Sequence, residues 1–219
     1  MKKAVILVIA VAILAGLAWA ISAKVGEAER TESFANALQE PSVGSPAPAL
    51  TLTDTKGKQH NLADYKGKYV VLEWVNFGCP FVKKHYESGN MQSTQKKAVD
   101  QGVVWLSVCS SAEGKQGHMD PADWNEEIAD RKLASTAVLI DESGAVGKTY
   151  GAKTTPHMYI VNPDGILIYK GAIDDKPTAN KDDLPGARNY VLAALDESLA
   201  GKPVSMASTT PYGCSVKYK

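Results

Sequence analysis

Short, continuous apolar runs alternate with stretches of helical periodicity through the middle of this chain. Residues 69–75 and 103–109 are apolar runs of the kind that forms strands buried on both faces. Helical stretches follow each run, first over residues 81–99, with a break near Gly89-Asn90, and then from Asp120-Pro121 onward. This order predicts parallel strand pairs in a central sheet with helices packed on its faces.

Two turn signals outside this alternation predict antiparallel hairpins. They are Asp54-Thr55-Lys56-Gly57 near the start of the domain and Asn162-Pro163-Asp164-Gly165 further along. A helix is expected over residues 187–200, followed by a tail from residue 202 to residue 219. The predicted fold class is therefore α/β, with a central mixed β-sheet flanked by helices, an N-terminal hairpin and a C-terminal tail. The hairpin strands are expected at residues 49–53, 58–62, 158–161 and 166–170.

The N-terminus has the pattern of an export segment. Met1-Lys2-Lys3 is a short basic region, and residues 4–21 form an uninterrupted apolar run of 18 residues that contains Ala18-Trp19-Ala20, a small-x-small cleavage sequence. This length is also the lower limit for a membrane span, so a cleaved signal and a retained anchor both stay open. We expect a signal peptide or membrane anchor at residues 1–23, a tether at 24–45 and a folded domain at 46–219, in the periplasm or otherwise outside the cytoplasm.

The charge balance of the chain excludes one class of partner. Lys and Arg together number 24, as do Asp and Glu, so the formal net charge is zero. A chain without excess positive charge is not suited to broad neutralisation of phosphates, so no nucleic-acid partner is expected.

The chain has three cysteines, Cys79, Cys109 and Cys214. An odd number in an exported chain means that at least one thiol is free, reactive or paired with another molecule. Cys79 follows the first buried strand, and Pro80 suits the first position of the helix that begins there. Unpaired N–H groups at a helix start favour thiolate over thiol, so redox chemistry at Cys79 is expected rather than a structural role. No CxxC motif is present, because Val82 stands where its second cysteine would be.

Three segments carry a specific combination of motifs. They are Glu73-Trp74-Val75-Asn76-Phe77-Gly78-Cys79-Pro80, Thr154-Thr155-Pro156, and the ending Gly213-Cys214-Ser215-Val216-Lys217-Tyr218-Lys219. In order and spacing they resemble the thioredoxin-like superfamily, and more closely its peroxiredoxin-related redoxin branch. The resemblance covers about residues 42–219 and implies a thioredoxin-like fold and a thiol-dependent oxidoreductase.

The resemblance implies a role for each motif. Cys79 would be the attacking thiol, which reacts with a peroxide oxygen or with a disulfide sulfur. The Thr155-Pro156 bond would be cis and lie against Cys79, where its backbone groups bind an extended substrate. Cys214, on a flexible tail, would be the second thiol that links to Cys79, with Cys109 or an external thiol as alternatives. Cys109 is otherwise a small buried structural residue.

Glu73 is an unexpected residue within the first apolar strand. The thioredoxins that this chain resembles carry a buried, proton-handling acid six residues before the cysteine. Burial would raise the pKa of Glu73 and make it an acid–base group near neutral pH. The alternative is a carboxylate that pairs with a lysine on one face of the strand.

Departures from the peroxiredoxins leave the substrate open. Asn76 and Leu72 stand where those proteins carry a threonine and a proline, and no arginine matches the one that polarises peroxide. Asn76, or Lys83 and Lys84, would supply part of that stabilisation; the alternative for the lysines is a solvated helix face. A small hydroperoxide or a protein disulfide is therefore the expected substrate, with an external thiol as reductant and with no cofactor or metal.

Two other functions compete with redox catalysis. Cys79, His85, Cys109 and His157 are soft or borderline ligands that would suit a metal-handling or copper-delivery protein, although their spacing matches no known metal pattern. The other alternative is a non-catalytic thioredoxin-fold module that binds partners through the cis-proline groove. Thiol reactivity at Cys79 distinguishes the oxidoreductase from this module.

Overall fold

The computed structural model describes residues 40–219 of the chain. The predicted signal peptide or anchor, residues 1–23, and most of the predicted tether lie outside the described residues. Across residues 40–219, no helix is both long enough and apolar enough to cross a membrane.

Nine strands and five α-helices make up the described part of the chain. The strands are β1 (Thr51–Asp54), β2 (Gln59–Asn61), β3 (Val70–Trp74), β4 (Val104–Cys109), β5 (Ala137–Ile140), β6 (Thr154–Thr155), β7 (His157–Val161), β8 (Leu167–Gly171) and β9 (Cys214–Ser215). The helices are α1 (Pro80–Glu87), α2 (Asn90–Asp100), α3 (Pro121–Asp130), α4 (Ala145–Tyr150) and α5 (Tyr190–Leu199).

Seven of these strands form one mixed sheet in the order β2-β1-β5-β4-β3-β7-β8. β3, β4 and β5 are parallel to one another, whereas the hairpins at the two sides of the sheet join them in antiparallel fashion. The predicted α/β class with a central mixed sheet is confirmed. The N-terminal hairpin belongs to the same sheet because Thr53 pairs with Ile140, a pairing between distant segments that the sequence pattern did not predict.

The central strands β3 and β4 are buried on both faces, as their continuous apolar runs predict. Successive side chains of a strand point to opposite faces, so Val71 and Trp105 enter one core layer while Leu72 and Leu106 enter the other. Helices α1, α2, α3 and α5 pack on the first layer, and α4 packs on the second through Tyr150. Each large apolar side chain buried in this way stabilises the fold by roughly 1.5–3 kcal/mol.

Residues 41–45, which the sequence assigns to the tether, lie along β8. The Gly44 amide donates to Leu167 O at 2.8 Å, and the Lys170 ammonium donates to Pro41 O at 2.9 Å. The chain is therefore packed against the sheet from residue 41 onward.

The C-terminal tail is docked on the domain, so the expectation of a flexible tail is wrong. Its strand β9 pairs with β6 in a second, two-stranded sheet that places Cys214 opposite Thr155. Gly213 allows this close approach, since its φ is +136° and a Cβ at this position would collide with Thr155 O.

Hydrogen bonds hold the tail on both sides of β9. Before β9, the tail bonds to the backbone of β8. After β9, the Val216 amide donates to Lys153 O at 3.1 Å, and the Tyr218 hydroxyl donates to Ala152 O at 2.8 Å. Anchors on both sides fix the position of Cys214.

Candidate active site

Cys79 lies at the start of α1, directly after the turn that follows the central strand β3. Its backbone is extended, with φ −82° and ψ 126°, and Pro80 takes the first helical position, as the sequence predicts. The Cys79 side chain makes no capping hydrogen bond. The Val82 amide in the first helical turn nevertheless faces the sulfur and lowers its pKa, although it does not make a cap of standard geometry.

Asn76 shapes the turn before Cys79. Its Oδ1 accepts from the Gly78 amide at 2.8 Å, and its Nδ2 donates to Gln116 O at 3.0 Å. Gly117 passes so close that a Cβ there would collide with the Asn76 side chain. Asn76 therefore connects the turn to the loop after β4, and both polar atoms of its side chain make hydrogen bonds to the backbone.

The Cys79 sulfur is fully buried where α1, β6 and β9 meet, with 0% of the residue exposed. It lies 3.1 Å from Thr155 O and 3.4 Å from the amide nitrogen of Cys214. The Thr155-Pro156 peptide bond is cis, as the resemblance implies. The structure thus brings together four of the five predicted site residues, namely Cys79, Thr155, Pro156 and Cys214.

The surroundings of the two sulfurs push their pKa values apart. Burial alone would raise the pKa of the Cys79 thiol, but hydrogen bonds from the Cys214 side chain and from the Val82 and Cys214 amides lower it below 9.0. The buried Thr155 hydroxyl, which has no other partner among the described residues, acts in the same direction. Burial and the neighbouring Cys79 sulfur raise the pKa of Cys214 to about 11. Cys79 is therefore the more acidic thiol of the pair, and Cys214 is the less acidic one.

Cys109 has different surroundings from this pair. It is buried at the end of β4, where its sulfur donates to Gly117 O at 3.4 Å. Burial raises the pKa of the Cys109 thiol. These are the surroundings of a small structural residue.

Glu73 is fully buried in β3 and accepts four hydrogen bonds, none of them from a lysine, so the expected burial is confirmed and the lysine pair is wrong. Burial raises the pKa of Glu73, and the four hydrogen bonds oppose that rise. Oε1 accepts from the Tyr86 hydroxyl at 2.7 Å. Oε2 accepts from Gln95 Nε2 at 3.0 Å, Trp105 Nε1 at 2.8 Å and the Ser107 hydroxyl at 3.0 Å.

The Glu73 carboxyl contacts α1 rather than the cysteine pair. Its partner Tyr86 lies in α1 and packs edge-on against Phe77, with ring centroids 5.0 Å apart. Phe77 belongs to the turn that leads to Cys79. Within residues 40–219, none of the hydrogen bonds of this carboxyl reaches Cys79 or Cys214. The contact that the structure shows is therefore one that positions α1.

A buried charged cluster lies beside the site, and sequence analysis did not find it. Lys84 of α1 is only 1% exposed, and its ammonium donates to Lys176 O at 2.7 Å and lies 3.8 Å from the Asp174 carboxylate. The expectation of a solvated lysine pair is therefore wrong for Lys84, although Lys83 is exposed. Neither ammonium is among the hydrogen-bond partners of the Cys79 sulfur in the described part of the chain.

Tyr212 of the tail completes this charged cluster. Its hydroxyl donates to Asp174 and lies 3.2 Å from Nε2 of the buried His85. Burial lowers the pKa of His85 to about 4, so this imidazole is neutral at pH 7. Because Tyr212 stands two residues before Cys214, the cluster joins the tail to the helix that begins at Cys79. No local signal in the sequence could reveal this contact, since His85 and Tyr212 are 127 residues apart.

Replacing Tyr212 with phenylalanine is expected to expose the Cys79 sulfur by loosening the tail. The ring still packs, but the hydrogen bond to a charged carboxylate, worth about 1.5–3 kcal/mol, is lost. We expect Cys79 of the reduced protein to react with iodoacetamide about tenfold faster or more, measured by mass spectrometry at fixed pH.

Tyr69→Phe is the matched control for this experiment. It also removes one tyrosine hydrogen bond, from the Tyr69 hydroxyl to Ser198 O at 3.0 Å, but this bond does not involve the tail. The control should leave the alkylation rate unchanged. Equal rates in the wild type and in Tyr212→Phe would show that the cluster does not hold the tail.

The candidate metal ligands have separate partners. His85 hydrogen-bonds to Tyr212 and Asn90, whereas His157 Nδ1 lies 3.1 Å from the Tyr159 hydroxyl. Among residues 40–219, no three or more His, Cys, Asp and Glu side chains converge as a metal site.

A cysteine at the start of the helix that follows a central strand, set against a cis-proline, defines the class of thioredoxin-like thiol oxidoreductases. A model of the AhpC/TSA family matches residues 43–170, and the chain belongs to that family. The expected superfamily and the expected oxidoreductase class are confirmed.

Curated relatives agree with this assignment. The thiol-disulfide oxidoreductase ResA of Geobacillus kaustophilus (strain HTA426) is 30% identical over 172 residues, which are 75% of this chain and 86% of that protein. The thioredoxin-like protein YneN of Bacillus subtilis (strain 168) is 28% identical over 143 residues, which are 64% of this chain and 79% of that protein.

Two solved structures share the fold over most of their length. A hypothetical protein, SMc02350 from Sinorhizobium meliloti 1021, has a TM-score of 0.71 and 24% identity, covering 83% of this chain and 97% of that one. An uncharacterized conserved protein from Geobacillus kaustophilus has a TM-score of 0.70 and 26% identity, covering 81% of this chain and 93% of that one.

Proposed function

We propose that this protein is a thiol-disulfide oxidoreductase whose redox pair is Cys79 and Cys214. The observation that carries the proposal is the contact between them. The Cys214 amide donates to the Cys79 sulfur at 3.4 Å, and strand pairing with Thr155 holds Cys214 in this place. Two neighbouring cysteines, one of which has a lowered pKa, are suited to forming and opening a disulfide.

In this proposal the dithiol form donates two electrons and two protons to a substrate disulfide. The substrate R–S–S–R′ becomes two thiols while Cys79 and Cys214 become linked, and an external thiol reductant restores the dithiol by the reverse exchange. Thr155 and Pro156 form the wall against the sulfur. Glu73 acts through Tyr86 as a positioning residue for α1. Only sulfur atoms change oxidation state, so the exchange needs no cofactor.

A disulfide substrate is favoured over a hydroperoxide by the groups around Cys79. Reduction of a peroxide needs electrostatic stabilisation of the negative charge that develops on its leaving oxygen. The residues expected to supply it are occupied elsewhere or exposed: Asn76 bonds to the loop after β4, Lys84 contacts Asp174, and Lys83 faces solvent.

Oxidation followed by mass spectrometry tests the proposal. The reduced protein is treated with oxidised glutathione, quenched in acid, digested and mapped. We expect a link between Cys79 and Cys214 as the main product, with Cys109 recovered as a free thiol. A link to Cys109 instead would contradict the assigned pair, and an unreactive protein would favour the non-catalytic binding module. A parallel arm with hydrogen peroxide that forms the link faster would assign a hydroperoxide as substrate.

We also propose that the domain works outside the cytoplasm after export by residues 1–23. The basic start and the apolar run support this, and disulfide exchange suits an oxidising compartment. Cell fractionation should place the full chain outside the cytoplasm and a variant lacking residues 2–23 inside it. Finding the full chain in the cytoplasm would refute export, and the N-terminal sequence of the exported protein distinguishes a cleaved signal from an anchor.

A further inference from the structure

We propose that Cys214, not Cys79, is the sulfur that an incoming thiol attacks in the oxidised protein. The inference rests on the proposed redox pair and adds the direction from which a reacting partner reaches it. In this proposal Cys214 forms the mixed disulfide with the external partner, whereas the resemblance assigns that step to Cys79.

The two sulfurs differ in their access to solvent. Cys79 belongs to the apolar core cluster with Phe77 and Val82, and none of its surface is exposed. Cys214 packs against the outside of the same cluster and is partly exposed. A thiol that arrives from solution therefore meets the Cys214 sulfur first.

The geometry of thiol–disulfide exchange sharpens this difference. The attacking sulfur approaches along the S–S axis, from the side opposite to the leaving sulfur. The Cys79 sulfur offers no open path for such an approach, because none of the residue is exposed and Thr155 O lies 3.1 Å from the sulfur. Attack on Cys214 comes from the solvent side of the docked tail.

The charge left behind is also better stabilised when Cys214 is attacked. The S–S bond then breaks with its electron pair on Cys79, where the Val82 and Cys214 amides stabilise the thiolate. A thiol of lower pKa leaves faster, and the pKa of Cys79 is the lower of the two. Attack on Cys79 would instead release Cys214, whose raised pKa makes it the poorer leaving group.

Two incoming thiols complete the reaction. The first thiolate forms a mixed disulfide with Cys214 and releases Cys79 as a thiolate. The second thiolate attacks the outer sulfur of that mixed disulfide, and Cys214 leaves as a thiolate. The Cys79 and Cys214 thiolates each take up one of the two protons that the incoming thiols released. The products are the protein dithiol and the disulfide of the two incoming thiols, so two electrons and two protons pass to the protein.

The docked tail also restricts the kind of thiol that reaches the pair. β9 occupies the edge of β6 (Thr154–Thr155), where an extended peptide would otherwise add as a strand. A small thiol reaches Cys214 without displacing β9, and so does a cysteine at the tip of a protruding turn.

Mapping the first adduct of glutathione tests the inference with both cysteines of the redox pair intact. The protein is oxidised and its Cys79–Cys214 link is verified, because absence of the link would refute the proposed function rather than the order of attack. The oxidised protein is then mixed with reduced glutathione, quenched in acid after milliseconds to seconds, digested and mapped. A Cys109→Ala background removes the third thiol, so every free thiol is assigned without ambiguity.

We expect glutathione on the Cys214 peptide in at least about tenfold excess over the Cys79 peptide, with Cys79 recovered as a free thiol. The ratio is extrapolated to zero time, because the Cys79 thiolate attacks the adduct and re-forms the link. An equal or larger share of glutathione on Cys79 would overturn the inference.

Discussion

Replacing Cys79 with serine is expected to slow disulfide reduction by about 10³-fold or more. A serine hydroxyl is not ionised near neutral pH and cannot link to Cys214, so both the thiolate and the disulfide are lost. The rate is measured as single-turnover reduction of oxidised glutathione by the reduced protein, with circular dichroism to verify the fold.

Cys109→Ala is the matched control for Cys79→Ser. Cys109 is also a buried cysteine, but its sulfur bonds to Gly117 O and not to the redox pair. The control should reduce oxidised glutathione at the wild-type rate. If Cys79→Ser keeps most of the activity, or if Cys109→Ala loses most of it, the reactive cysteine has been assigned wrongly.

Replacing Glu73 with alanine is expected to lower the free energy of unfolding by about 3–5 kcal/mol. Four donors from α1, α2 and β4 converge on this carboxyl, and without it they are buried with no acceptor beside a new cavity. Equilibrium unfolding in urea, followed by circular dichroism, measures the loss.

Glutamine at position 73 separates the hydrogen-bond network from the negative charge. Its carbonyl oxygen can accept the three donors that face Oε2, and its NH₂ group can donate to the Tyr86 oxygen, which faces Oε1. We therefore expect Glu73→Gln to cost less than about 1.5 kcal/mol. A loss as large as that of the alanine variant would show that the network requires the carboxylate itself.

The raised pKa of Glu73 gives stability a defined dependence on pH. Burial keeps a proton on Glu73 in the native protein at pH values where the unfolded chain, with its pKa near 4.5, has released it. The unfolded state then binds fewer protons, so the contribution of Glu73 to stability falls as pH rises from about 4.5 towards the native pKa. The difference in unfolding free energy between wild type and Glu73→Gln should shrink with rising pH, and a flat difference would contradict burial as the dominant influence on this pKa.

The sequence by itself determined the class of fold and the start of the reactive helix. The apolar runs became β3 and β4 because a strand buried on both faces needs apolar side chains at successive positions. Pro80 marked the beginning of α1 because proline suits a first helical position, which lacks a hydrogen-bond acceptor for its N–H. The Asn162–Gly165 sequence marked the turn between β7 and β8 in the same local way.

Only the tertiary structure decided what surrounds the Cys79 sulfur. Its contacts to Thr155 and Cys214 join residues 76 and 135 positions apart, and they depend on β9 pairing with β6. Helical periodicity is equally consistent with a solvated Lys84. The tertiary structure buries Lys84 because the carboxylate of Asp174, in a loop distant along the chain, pairs with it. Local patterns follow from the geometry of neighbouring residues, whereas these contacts depend on closing long loops and matching buried polar groups across the whole domain.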